Sequence, residues 1–344
     1  MTSRSNRLIA SLTVICCAAL VGVPAVAEKA ALPTEDRIRI AEGRRIAEQL
    51  GDQLWAGWSD ASFAILLVTK PAEFLVYHPR PSADFSPLGY DSLLKSNVFV
   101  RERQFDTNLL ATFPAVGGLP TIVIGQPKNT EASHSTRWVI TLLHEHFHQW
   151  QMSQPTYYPA VDSLGLKGDD NSGMWMLNYP FPYEDPAVGK AFREMCDDLR
   201  EALDGAGSHA ERFNAYRASS QRFRELLSDD DYRYYAFQLW QEGIARYTEY
   251  KLARRAAVAY RPTAEFESLP DVTRFEDDAE QTWDKILNEL RSMSLKESRR
   301  KAFYHVGAAL GVLLDRESPG WRDRYIDSRF YIEEYAKPTM PGDG

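Results

Sequence analysis

The segment Leu142-Leu143-His144-Glu145-His146-Phe147-His148-Gln149-Trp150 lies within a run, 136–152, whose apolar residues Val139, Ile140, Leu142, Leu143 and Phe147 recur at helical spacing. Residues four apart on a helix advance about 40° beyond one full turn, so His144 and His148 project from one face. Two neutral imidazoles placed in this way can grip one metal ion. Glu145, next to the first histidine, leans toward the open side of such an ion, where it can take a proton from water. His146 falls nearly opposite and is a poor ligand. Packing alone favours aliphatic side chains over three histidines and a glutamate in such a run. The pattern is H-E-x-x-H, and an apolar helix is the context it requires.

A catalytic centre of this kind takes three protein ligands and keeps one position open. Downstream, the histidines are His209, in a polar stretch, and His305. Glu242 is the better third ligand. It sits in Phe237-Gln238-Leu239-Trp240-Gln241-Glu242-Gly243-Ile244-Ala245-Arg246-Tyr247, within a long helical pattern. Gly243 weakens a helix by about 1 kcal/mol relative to Ala, and close approach by a neighbouring helix is one reason to have it there. Taken alone, a glutamate in this pattern is by default a solvated residue on an amphipathic helix.

H-E-x-x-H followed by a distant E-G-x-A-x-Y resembles the gluzincin branch of zinc metallopeptidases. The resemblance spans roughly 98–315, with tight matches at 144–148, 242–247 and 304–307. It implies one zinc ion per chain, held by His144, His148 and Glu242, with Glu145 as general base. In Phe303-Tyr304-His305-Val306-Gly307 it implies a helix whose Tyr304 donates a hydrogen bond to the oxyanion, with His305 as the runner-up. The implied activity is hydrolysis of amide bonds, so the implied partner is a peptide or protein substrate. The implied domain runs from 28 to 344 as a single zincin-like unit. There are departures. Some gluzincins carry Asp four residues after the ligand glutamate, to orient the first histidine; here that residue is Arg246, and Glu249 is the substitute candidate. The stretch between His148 and Glu242 is also much longer than in thermolysin-like or aminopeptidase members, so the resemblance carries over the metal ligands and not a substrate class. Gly117-Gly118-Leu119-Pro120-Thr121 lacks the glutamate with which aminopeptidases of this group bind a free amine, favouring an endopeptidase or a specialised hydrolase. The alternative is a catalytically silent binding protein on the same scaffold; an unrelated envelope protein with a chance motif is a third reading.

Outward from the motif, the period of the pattern changes. Upstream, 34–50 has a helical stripe (Ile38, Ile40, Ala41, Ile46, Leu50), with Thr34 and Asp36 offering N-cap chemistry. Ala61–Val68, Phe74–His78, Val98–Phe105, Leu109–Phe113 and Thr121–Gly125 are short strand candidates, and the Pro-, Ser- and Gly-rich 79–97 predicts a loop. Thr121–Gly125 is expected to form the sheet edge that pairs with an extended substrate, with Gly117-Gly118 allowing close approach. Downstream, 153–184 predicts a long irregular, aromatic-rich loop. Helices are then expected at about 186–204, 208–227, 230–260, 277–293 and 296–315. The fold class is α+β: a small, mostly antiparallel sheet (60–127) followed by a mainly helical part (135–335) carrying the motif helix and a later helix with the ligand glutamate.

The N-terminus has a different character. Arg4 and Arg7 precede an apolar stretch, Leu8 to Val23, that ends in Pro24-Ala25-Val26-Ala27. That is the pattern of a cleavable secretory signal over 1–27, predicting a secreted or periplasmic protein with no stable membrane span after cleavage. Cys17 follows Ile15-Cys16 rather than the small residue of a lipoprotein signal, so no lipid anchor is expected. Removing 1–27 leaves Cys196 alone, which excludes an intramolecular disulfide; its helical surroundings predict a buried thiol. The net charge of −8 argues against a nucleic-acid partner. With 17 Tyr, 16 Phe and 8 Trp the chain can build a sizeable core. Nothing in the sequence determines the oligomeric state.

Overall fold

Six short strands form one mixed sheet in the order β3-β4-β2-β1-β6-β5: β1 (Ile65–Val68), β2 (Ala72–Val76), β3 (Ser86–Asp91), β4 (Ser96–Glu102), β5 (Leu110–Val116) and β6 (Leu119–Gly125). The computed structural model describes residues 30–170 and 172–336; the expected signal peptide lies outside them. All pairings are antiparallel except β1 with β6, where Ile65 lies beside Ile122 and Leu67 beside Ile124. Strand β1 is buried at every residue because β2 and β6 flank it and both faces are covered. That is why its sequence is a continuous apolar run rather than an alternation.

The helices are α1 (Thr34–Leu54), α2 (Ser135–Ser153), α3 (Tyr157–Ser163), α4 (Trp175–Asn178), α5 (Pro186–Asp204), α6 (His209–Glu225), α7 (Asp229–Gln238), α8 (Ile244–Ala259), α9 (Ala264–Glu267), α10 (Phe275–Ser292), α11 (Leu295–Ser298), α12 (Lys301–Glu317) and α13 (Tyr325–Ser328). The architecture is therefore α+β. No helix among the described residues is long and apolar enough to cross a membrane.

Helix α2 lies against the sheet and is wrapped by α1 and α8. The Trp138 indole donates to the carbonyl of Gly125 at the end of β6, 2.7 Å away. On the far side Phe147 and Trp150 pack on Trp55, which also touches Tyr247, Trp321 and Tyr325. Trp55 donates to Thr248 Oγ1 at 3.0 Å, joining α1 to α8. This aromatic cluster holds α2 from behind and leaves its histidine face to the site.

Several expectations are corrected. Residues 79–97 contain a strand: β3 pairs with β4, with a register shift between Pro87 and Gly89. Its proline, its glycine and its largely exposed residues hide a strand signal that pairing alone supplies. Residues 153–184 are not wholly irregular, since burial of Tyr157 and Trp175 folds α3 and α4. Thr34 and Asp36 do not cap α1: Pro33 holds the N-cap position, and Asp36 is buried against Arg39 and Gln126. Thr121–Gly125 is not a sheet edge, because β6 lies between β1 and β5; the edge on that side of the sheet is β5, and the other edge is β3. The expected helix 230–260 is broken by a π-helical turn, Leu239–Gly243. Cys196, by contrast, is buried as expected, and burial pushes its thiol up, away from the reactive thiolate.

Candidate metal centre

Helix α2 presents His144 and His148 from successive turns, with their rings nearly perpendicular. Their Nε2 atoms lie 3.1 Å apart. Glu242 Oε2 is 3.4 Å from His148 Nε2 and 3.8 Å from His144 Nε2. A tetrahedral zinc shell with bonds of roughly 2.0–2.1 Å has ligand–ligand edges of about 3.3–3.4 Å. The three separations bracket that length, so the set fits a metal ion. It is also the one group of three or more metal-ligating side chains found together among the described residues.

The outer nitrogens explain why both Nε2 atoms face inward. His148 Nδ1 lies 2.7 Å from Gln151 Oε1 and 3.1 Å from the Gln241 amide nitrogen. The nearer neighbour is an acceptor, so Nδ1 carries the proton and Nε2 keeps its lone pair for a ligand. Glu249 Oε1 sits 2.7 Å from His144 Nδ1, meeting the distance of a charge-assisted hydrogen bond but not its angle. Glu249 thus occupies the position for which Asp at 246 was missed in the sequence. Arg246 is its counterweight, donating to Glu249 Oε2 at 2.7 Å, while Arg137 of α2 pairs with the same oxygen. Burial opposes the charge on Glu249, but Arg137 and Arg246 outweigh it and hold the carboxyl well below its ordinary range. For His144, burial disfavours the proton, yet the Glu242 and Glu249 carboxylates prevail and raise it to about 9. Glu242 in turn is held well below its ordinary range, where burial is outweighed by the two imidazoles.

Glu242 reaches the histidines because its backbone is not α-helical. The π-helical turn is stabilised from outside: Gln151 Nε2 lies 3.3 Å from the carbonyls of both Trp240 and Gln241, and Tyr325 donates to Trp240 O at 2.6 Å. π-Turns of this kind are common at functional sites. One side chain, Gln151, therefore orients a histidine and steadies the segment of the third ligand. Gly243 meets Gly307 of α12 so closely that a Cβ on Gly243 would stand 2.5 Å from Gly307 Cα. The close helix approach expected from Gly243 is present.

Glu145 lies between α2 and the edge strand. Thr112 Oγ1 of β5 is 2.9 Å from both the Glu145 carbonyl oxygen and its Oε2. Tyr304 faces Glu242, and Arg300 donates to its hydroxyl at 2.6 Å. Burial, and then the Glu242 charge, keep the phenol protonated far above neutral pH. His146 points away, stacked on Trp58 and bonded to Gln149, as expected of a non-ligand. His305 is buried without a hydrogen bond to its Nδ1 among the described residues. Sequence reasoning missed Gln151, Thr112 and Arg300. Gln151 and Arg300 had a signal, since they lie three residues beyond His148 and four before Tyr304 in helical stretches; Thr112 had none.

No family model matches the chain. Neither the curated proteins nor the solved structures include a match to it.

Proposed function

We propose that the chain is a zinc-dependent metallohydrolase of the gluzincin type, with peptides or proteins as substrate. The observation that supports this reading best is the convergence of His144 Nε2, His148 Nε2 and Glu242 Oε2, 3.1–3.8 Å apart, directly beside Glu145. Bound zinc would polarise the scissile carbonyl and lower the pKa of water to about 7. Glu145, steadied by Thr112, takes the proton from the attacking water and hands it to the leaving amine. Tyr304 turns its hydroxyl from Glu242 to the developing oxyanion, with Arg300 holding the phenol in place. The substrate backbone pairs with the free edge β5 rather than with β6. The proposed place of action is outside the cytoplasm, after removal of 1–27.

The test is the metal content and peptidase activity of the purified chain. About one zinc per chain is expected, lost in His144→Ala. Glu145→Gln should keep the zinc and lose about 10²–10⁴-fold in kcat/KM. A silent binding protein would keep its zinc and show no activity for Glu145→Gln to remove. Failure to take up zinc after reconstitution at neutral pH would sink the reading altogether.

A further inference from the structure

A cleft of about 460 Å³ opens where α12 begins, lined by Arg299, Arg300, Lys301, Glu297, Tyr179 and Tyr183 among others. Three consecutive cations face one carboxylate there, in a chain whose net charge is −8. Their partners are few. Lys301 is exposed and has no ion pair among the described residues. Arg299 stands 3.7 Å from Glu184, an exposed residue that Lys296 engages more closely at 2.9 Å. Arg300 is half-buried, and its nearest hydrogen-bond partner is the Tyr304 hydroxyl. The first turn of α12 carries no carboxylate, so the positive end of the helix dipole adds to the field of the cations.

The cleft adjoins the metal centre. Arg300 lines it and bonds Tyr304; Tyr304 faces Glu242; Glu242 stands 3.4 Å from His148. One guanidinium and one phenol thus separate the cleft from the reacting position. Guanidinium groups recognise carboxylates in a planar, two-point manner, and a half-buried one does so with less competition from water. Resting on the peptidase reading, we propose that this cleft binds a carboxylate of the substrate, with Arg299, Arg300 and Lys301 as the specificity-determining residues. That carboxylate is either an Asp or Glu side chain near the scissile bond or the free C-terminus of the peptide.

The experiment measures binding of fluorescein-labelled peptide pairs to the zinc-reconstituted full-length Glu145→Gln protein by anisotropy. In one arm the pair differs by Glu against Gln at a single scanned position; in the other, by a free-acid against an amidated C-terminus. The acidic member should bind about tenfold tighter in one arm, which identifies the source of the carboxylate. That preference should fall below twofold in Arg299→Gln/Lys301→Gln on the same background, and it should weaken as salt is raised. Both substituted residues are exposed, so the fold is expected to survive, with an unchanged Tm as the check. Equal binding of both members in both arms overturns the proposal, as does a preference that the double variant leaves intact. The peptidase reading fails separately: it falls if the protein with Glu145 intact cleaves no peptide, while a charge preference abolished by the double variant still establishes the anion cleft.

Discussion

Helix α2 delivers His144 and His148 from regular turns, whereas Glu242 comes from a π-helical turn between α7 and α8. The two segments differ in what holds their ligands in place. On α2 the i, i+4 geometry of any α-helix brings the imidazoles to one face, and packing behind it only fixes the rotation of the helix. Glu242 depends on three things outside its own segment: the Gly243–Gly307 contact, the Gln151 amide and the Tyr325 hydroxyl. The first half of the site is local geometry and the second half is tertiary. The second half should therefore be the more fragile.

Gly243→Ala attacks that fragile half most directly. Its Cβ would press on backbone rather than on a movable side chain, so a loss of about 3 kcal/mol in unfolding free energy is expected, the upper end for overpacking. Denaturant titration reads it. His144 and His148 should still bind zinc weakly, so a variant with unchanged zinc affinity would break the comparison. Glu249→Ala comes next. It removes the carboxylate beside His144 Nδ1 and leaves Arg137 and Arg246 facing each other; zinc affinity should fall about 10–100-fold in competition with a chelator.

A pH effect follows from His305, buried on α12 beside the ligand segment. Burial first, then Arg246 and Lys285, lower its pKa to about 3, against an opposing pull from Glu249. The unfolded chain binds this proton below its ordinary value of 6.5 and the folded chain does not. Stability should therefore fall as pH drops from about 6.5 toward about 3, by up to about 1.4 kcal/mol per pH unit for this one proton. His305→Leu should flatten that part of the profile, as read by Tm against pH. An unchanged slope would mean that His305 is neutralised by another route. The smallest effect is expected at the edge strand. Thr112→Val removes one hydrogen bond to Glu145 and should cost about 0.5–1.5 kcal/mol, seen as up to about tenfold in kcat with the zinc content intact.

Much of this was legible beforehand. Apolar periodicity located α1, α2, α5 and α6 closely, because each carries buried residues at helical spacing. Strand β3 was not legible: it is an edge strand with Pro87 and Gly89, and what makes it a strand is its partner β4. The edge assignment of 121–125 failed for a related reason. Chain order shows which strands exist but not which neighbour each takes, and the parallel pairing of β1 with β6 buries the expected edge.

By itself, the sequence determined that a helix carries two histidines and a glutamate in register, that the fold is α+β, and that His146 points away. Those properties follow from the helical repeat and from hydrophobic patterning, which are local. Only the tertiary structure decided that Glu242 meets those histidines, that Glu249 and Gln151 orient them, and that a cationic cleft opens beside Tyr304. These are contacts between residues that are distant in the chain. Their geometry depends on how close two helices can approach and on where an α-helix yields to a π-turn, and neither quantity is written in any single segment.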